Sequence, residues 1–152
     1  MFRGIANATL DAKGRMPLPT RFREQVLSRS SGQVVLTVDI ESRCLLLYCR
    51  QDWDAVQRRI EKLPNLSPTT RKLQRLLIGH ATDLELDASG RFLVSPNHRD
   101  YAGLEKRLVV LGQSNKIEIW SEALWQASTE AWLNADSRRE LTLSEEFGTL
   151  SI

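Results

Sequence analysis

Reactive and metal-ligating side chains are scarce in this sequence, with two histidines and two cysteines among 152 residues. His80 and His98 stand 18 positions apart, and neither has a cysteine or carboxylate at metal-ligand spacing, so no metal site is expected. Cys44 and Cys49 bound a single apolar run, Cys44-Leu-Leu-Leu-Tyr-Cys49. As a strand, that run sets the two sulfurs on opposite faces about 16 Å apart, beyond the roughly 7 Å between Cα atoms that a disulfide tolerates. Two reduced structural thiols are therefore expected. Long hydrophobic runs are missing as well. The Cys44 to Cys49 stretch is the longest, against the ~20 residues of a membrane-spanning helix, and residues 1–10 lack the apolar segment of a secretory signal. A cytoplasmic protein with no membrane partner is the expectation. Nucleotide and nucleophile motifs are absent too: no Walker A, no Gly-x-Gly-x-x-Gly, and a Gly112-Gln-Ser114-Asn-Lys116 that lacks the last glycine of a nucleophile elbow. The sequence offers no catalytic constellation and no cofactor site, so it does not read as an enzyme.

What remains is the composition of a globular chain, 41% hydrophobic and 26% charged, long enough for one compact unit or two small fused ones. The net charge of +2 hides an asymmetry. Residues 1–75 hold 14 Lys and Arg against 7 Asp and Glu, whereas residues 76–152 hold 7 against 12. A +7 half beside a −5 half suits a polyanion-facing surface, copies that associate head to tail, or two ordinary solvated faces.

The chain repeats itself. Leu10-Asp-Ala-Lys-Gly-Arg15 and Leu86-Asp-Ala-Ser-Gly-Arg91 align at an offset of 76, and Arg23 aligns with Arg99. Val34-Val-Leu36 then parallels Val109-Val-Leu111, and Leu45 to Tyr48 with Trp53 parallels Ile117 to Trp120 with Trp125. The division expected is a first repeat over 1–66, a linking helix over 67–78, a second repeat over 79–133 and a C-terminal tail over 134–152.

Each repeat reads as short strands with small helices. Residues 5–10 and 81–86 run into Asp-Ala-x-Gly and out into residues 15–18 and 91–94, a hairpin signal: aspartate accepts its own backbone N–H two residues on, and glycine takes the positive φ. Thr20 opens a helix with Phe22 and Val26 on one face, and Ser95-Pro96 opens its counterpart, stopped by Gly103. Residues 34–38, 44–49, 108–111 and 117–120 read as strands. Asp52 is expected to cap a helix carrying Trp53, Val56, Ile60 and Leu63, and Ser121 one carrying Leu124, Trp125, Ser128 and Trp132. Between them, Ser67-Pro68 begins a helix that runs to Ile78 with Gly79 as its stop. All four tryptophans are expected in the core, and residues 134–152 read as a polar, partly mobile tail.

Arg15 and Arg91 leave the same tight turn at the same place, and Lys13, Arg21 and Arg23 add cations around the first. Arginine's planar fork matches guanine O6 and N7 or a phosphate, and lysine serves phosphate as a point charge. Equally, Asp11 with Arg15 and Asp87 with Arg91 could do no more than pair across their own turns. Asp11 and Asp87 as an acid/base pair is the weaker idea, since an arginine four residues on favours the ionised form of each.

Leu10-Asp-Ala-Lys-Gly-Arg-Met-Pro-Leu-Pro-Thr-Arg-Phe-Arg23 resembles the Asp-x-x-x-Arg hairpin of AbrB-type swapped-hairpin DNA-binding domains. Two copies, together with Leu45-Leu-Leu-Tyr48, Gln74-Arg-Leu-Leu-Ile-Gly-His-Ala81 and Leu111-Gly-Gln-Ser-Asn-Lys116, resemble the MraZ family almost end to end. That resemblance implies a mainly β chain with short helices, of the α+β class, built as two pseudo-symmetric swapped-hairpin β-barrel units in one compact molecule. It implies a sequence-specific repressor at the head of a division and cell-wall gene cluster. Such a repressor binds direct repeats in its own promoter as a ring of eight or twelve subunits, in the cytoplasm at the nucleoid. The residues implied to face DNA are Arg15, Lys13, Arg91, Arg21, Arg23 and Arg99, with Asp11, Gly14, Asp87 and Gly90 shaping the turns. The second copy departs from the first, with Ser89 in place of Lys13 and Asn97 in place of Arg21, which puts the weight on the first. The alternative is a protein-interaction or antitoxin-like module whose main partner is another protein, with the acidic tail (Glu140, Glu145, Glu146) as its feature.

Overall fold

A computed structural model describes residues 1–152. It separates into two units, Met1–Ser121 and Glu122–Ile152. In the first, strands β1 (Phe2–Thr9), β2 (Arg15–Pro17), β3 (Gln33–Val38), β4 (Leu45–Cys49), β5 (Thr82–Glu85), β6 (Arg91–Leu93), β7 (Arg107–Ser114) and β8 (Lys116–Ser121) are joined by four helices. These are α1 (Thr20–Ser30), α2 (Arg50–Glu61), α3 (Pro68–Leu73) and α4 (Pro96–Ala102).

Six strands form one antiparallel sheet in the order β1-β7-β8-β4-β3-β5, and β2 and β6 form a separate antiparallel ribbon. With an offset that falls from 76 to 72 along the repeat, β1 corresponds to β5, β3 to β7 and β4 to β8, so the sheet order reads the same from either end. An internal two-fold therefore passes between β8 and β4. The expected hairpins form only at their turns. Asp11 N–H donates to Arg15 O (2.9 Å), but beyond that bond β1 leaves to pair with β7 and β2 leaves to pair with β6, both in the other repeat. A three-residue β2 has too few backbone groups to satisfy the eight-residue β1; β7 matches it residue for residue from Phe2↔Ser114 to Thr9↔Arg107. This exchange is the swapped hairpin.

Both faces of the sheet are covered at its centre, which explains why β3 and β4 are continuous apolar runs without polar alternation. Val34, Leu36 and Val38 join Met16, Leu18, Phe22, Val26, Phe92, Val94, Leu108, Ile117 and Ile119 in the main core. Val35 and Leu46 face the other way and pack with Tyr48, Trp53, Leu77 and Ile78. Both cysteines are free and buried.

Several local expectations hold: Ser95 Oγ accepts His98 N–H (3.3 Å), Gly103 ends α4 in the left-handed region (φ 59°), and Phe22 and Val26 are the buried pair of α1. Others shift. Asp52 lies inside the first turn of α2, with Cys49 at the cap position, and its carboxylate is taken by Arg29 through Nε (2.8 Å) and Nη2 (2.5 Å). The linking helix changes at Gln74 into a π turn (Gln74–Ile78), closed by Gly79 N–H on Gln74 O (2.9 Å). Gly79 is right-handed (φ −63°), so it is not the left-handed stop expected; a Cβ there would run into the Arg75 carbonyl of the widened turn.

The second unit holds α5 (Glu122–Leu133), α6 (Ala135–Thr142) and α7 (Glu145–Gly148). The segment read as a polar tail is thus helical, and side chains cap both short helices: Asn134 accepts Ser137 N–H (2.9 Å) and Ser144 accepts Phe147 N–H (3.2 Å). These helices, with the π turn, bring the chain to 43% helix against 28% strand, so the α+β class stands with more helix than expected. Trp53 and Trp120 are core residues, but Trp132 is 47% exposed and pairs edge-on with Trp125 at 5.8 Å. No residue after Ser121 is fully buried, because these three helices form no core of their own.

Candidate nucleic-acid interface

The two Asp-Ala-x-Gly turns are built alike. Asp11 Oδ1 accepts the N–H groups of Lys13 and Arg15, each at 2.9 Å, and Gly14 N–H closes on Asp11 O at 3.0 Å. Asp87 Oδ1 accepts Ser89 N–H (2.8 Å) and Arg91 N–H (2.9 Å), and Gly90 N–H closes on Asp87 O (2.9 Å). Gly14 (φ 85°) and Gly90 (φ 75°) occupy the left-handed position that each turn requires. The backbone N–H of Arg15 holds the Asp11 carboxyl below its usual range, and the N–H of Arg91 does the same to Asp87. Both stay ionised hydrogen-bond acceptors at neutral pH, and neither carries a proton to give as a general acid.

A depressed carboxyl contributes stability that is present above the unfolded-state value and lost as pH falls through the folded one. The turns are therefore expected to hold their geometry from neutral pH down past about pH 4, the ordinary aspartate range, and to loosen only below it. Amide shifts of Lys13 and Ser89 followed through an acid titration check this. Movement of both amides between pH 7 and 5 would contradict the assignment.

The ribbon decides which way the arginines point. Met16 lies opposite Phe92 and both are buried, so by alternation Arg15, Pro17, Arg91 and Leu93 share the outer face. Arg15 stands opposite Leu93 and Arg91 opposite Pro17, which makes the two arginines diagonal neighbours with Cα atoms roughly 7–8 Å apart. Arg15 Nε donates to Asp11 Oδ2 at 3.0 Å, the turn pairing considered from the sequence, and Nη1 and Nη2 are its remaining donors. The Arg15 charge also helps to depress Asp87, so it lies within the field of both turns. Lys13 is exposed at the tip of its turn, as Ser89 is at the other.

The remaining expected contacts divide. Arg21 is exposed on the first turn of α1, but it lies against Gly4, where a Cβ would come 3.3 Å from its Cζ. Gly4 is seven residues from Asp11 along the extended β1 and its exit, about 23 Å at ~3.3 Å per residue, so Arg21 is not gathered with the turns. Arg23 and Arg99 are partly buried; Arg23 Nη2 donates to Leu18 O (2.9 Å) and Arg99 Nε to Val94 O (3.1 Å). Leu93, 52% exposed beside Arg15, was not singled out from the sequence. Its signal is an apolar residue two places after Arg91, on the face opposite buried Gly90 and Phe92.

The histidines serve structure: buried His98 bonds through Nε2 with His80 O (2.7 Å) and Nδ1 with Ser95 Oγ (3.0 Å), and burial pushes its pKa down. Asp39, Cys44 and Glu118 bring three ligand-type atoms within 4.8 Å of one another. Their chemistry points to structure as well: Asp39 Oδ2 accepts Ser42 N–H (3.1 Å), Glu118 Oε1 accepts the Trp120 indole N–H (3.0 Å), and burial keeps Cys44 a thiol.

A duplicated α+β chain whose repeats exchange strands, and whose two Asp-Ala-x-Gly-Arg turns meet on one ribbon, is a swapped-hairpin protein. The family described as "MraZ protein, putative antitoxin-like" matches it twice, over residues 1–76 and 77–143, and the chain belongs to this family. It is 45% identical to Transcriptional regulator MraZ of Halorhodospira halophila and 46% identical to that of Alkalilimnicola ehrlichii, over the full length of both chains in each case. It is 48% identical to the Marinomonas protein of the same name over 141 residues, 93% of each chain.

Proposed function

We propose that this protein is a DNA-binding transcriptional regulator that reads duplex DNA with the β2-β6 ribbon. The observation that carries the reading is the outer face of that ribbon, where Arg15 and Arg91 stand side by side over a buried Met16 and Phe92. A two-stranded ribbon fits the major groove, where an arginine fork meets guanine O6 and N7, an apolar side chain such as Leu93 meets a thymine methyl, and Lys13 neutralises phosphate. Nothing in this chemistry calls for a cofactor or a catalytic group. The finer reading is a repressor of its own division and cell-wall gene cluster, acting in the cytoplasm at the nucleoid. There a ring of copies engages direct repeats in the promoter, each repeat weakly and all together tightly. No helix is long and apolar enough to cross a membrane.

The test is a fluorescence-anisotropy titration against the DNA upstream of the protein's own gene and against scrambled DNA, at two salt concentrations. Preference for the upstream DNA at both is expected. Equal binding that salt erases would leave only a generic polyanion surface and bring the protein-partner alternative forward. In the same assay Lys13→Ala is expected to weaken binding to every sequence and to lower the salt slope by about one unit. An unchanged slope would mean that Lys13 touches no phosphate.

A further inference from the structure

Arg23 and Arg99, equivalent at the 76-residue offset, each reach across to the turn of the other repeat. A Cβ on Gly90 would come 2.6 Å from Arg23 Cζ, and a Cβ on Gly14 would come 2.9 Å from Arg99 Cζ. Each guanidinium thus fills the place where the opposite glycine would carry a side chain. The backbone closes both arrangements. Arg23 donates to Leu18 O while Leu18 N–H donates to Gly90 O (2.8 Å), and Arg99 donates to Val94 O while Val94 N–H donates to Gly14 O (2.8 Å). Arg23 Nε is moreover buried with no acceptor. A group kept to grip phosphate would turn its fork outward; one that tolerates an unsatisfied N–H is kept for its shape and for what it presses against.

We propose that Arg23 and Arg99 are positioning residues. Each clamps the Asp-Ala-x-Gly turn of the opposite repeat, and together they fix the ribbon face that carries Arg15 and Arg91 without touching DNA themselves. This rests on the DNA-binding reading above and replaces the direct DNA contact that the family resemblance implies for both. A binding constellation loses its grip when the groups that support it slacken by about half an ångström. Slackening one turn moves the arginine that leaves it, and the affinity falls because the two arginines share one ribbon face.

The test uses the full chain with Arg23→Ala, Arg23→Lys, Gly90→Ala and the Arg23→Ala/Gly90→Ala double variant. Each is titrated against the upstream DNA over a range of salt, with backbone amide shifts recorded without DNA. Arg23→Ala is expected to lose at least tenfold in affinity with the salt slope of the wild type, and to shift the amides of Ser89, Gly90 and Arg91. Arg23→Lys keeps the charge without the planar group and is expected to bind as poorly. Gly90→Ala must displace Arg23, so the double variant is expected to lose far less than the product of the two single losses. Full affinity in Arg23→Ala, a salt slope lower by about one unit, rescue by lysine, or multiplicative losses would each overturn the clamp. If an alanine variant at 23 does not fold, Arg99→Ala carries the same readouts on Lys13, Gly14 and Arg15. Should the wild type itself show no preference for the upstream DNA, the functional reading fails, and the amide shifts still decide the clamp.

Discussion

Arg15→Ala is expected to abolish detectable binding to the specific DNA while leaving the fold intact. One bidentate arginine contact to guanine discriminates by about 1–3 kcal/mol, or roughly 5- to 150-fold. When several subunits of an assembly each lose that contact on one duplex, the losses multiply. The fold has little at stake, because the side chain stands on the outer face and its ion pair with Asp11 is solvent-exposed, the kind that contributes little to folding. A gel-shift titration paired with far-UV circular dichroism checks both halves. Wild-type affinity in the variant would end the assignment of Arg15 to the interface.

Phe22→Ala acts at the other extreme. Phe22 is fully buried and meets Phe2 edge-on, with ring centroids 6.0 Å apart and an interplanar angle of 82°, where α1 covers the start of β1. Truncating a buried phenylalanine costs about 3–5 kcal/mol, a large part of the 5–15 kcal/mol that holds a typical domain together. The urea midpoint is expected to fall by that loss divided by the slope of the transition, with the slope itself unchanged. A loss below about 1 kcal/mol would mean that the corner between α1 and β1 refills on its own.

Local chemistry was readable in the sequence and long-range pairing was not. Asp11, Gly14 and their counterparts are dictated within five residues, so the turns, the strand exits and the caps of α4 follow from residue type alone. Which strand β1 would join depends on residues 107–114, and a turn motif carries no information about that. The family resemblance supplied the exchange; the turn chemistry by itself led to a hairpin closed on itself. Asp52 illustrates the same limit, since its sequence position suits a helix cap while Arg29, 23 residues away, takes its carboxylate. Arg21 and Arg23 show it within one helix. Two residues at 3.6 per turn point roughly 200° apart, so one lies along β1 against Gly4 and the other against the turn at Gly90. A count of nearby cations could not separate them.

The palindromic order of the sheet, set beside the unequal tips of its two turns, has a consequence for the shape of a suitable DNA site. Two identical chains related by a two-fold would read both strands of a duplex alike and would call for an inverted repeat. Here the two halves are joined in one chain and differ, with Lys13 at one tip and Ser89 at the other. On the proposed DNA-binding function, the pair has the architecture of a symmetric reader with a direction added by its unequal tips. A directional reader matches a site that itself points one way along the duplex, and copies of it arranged head to tail match that site repeated in tandem.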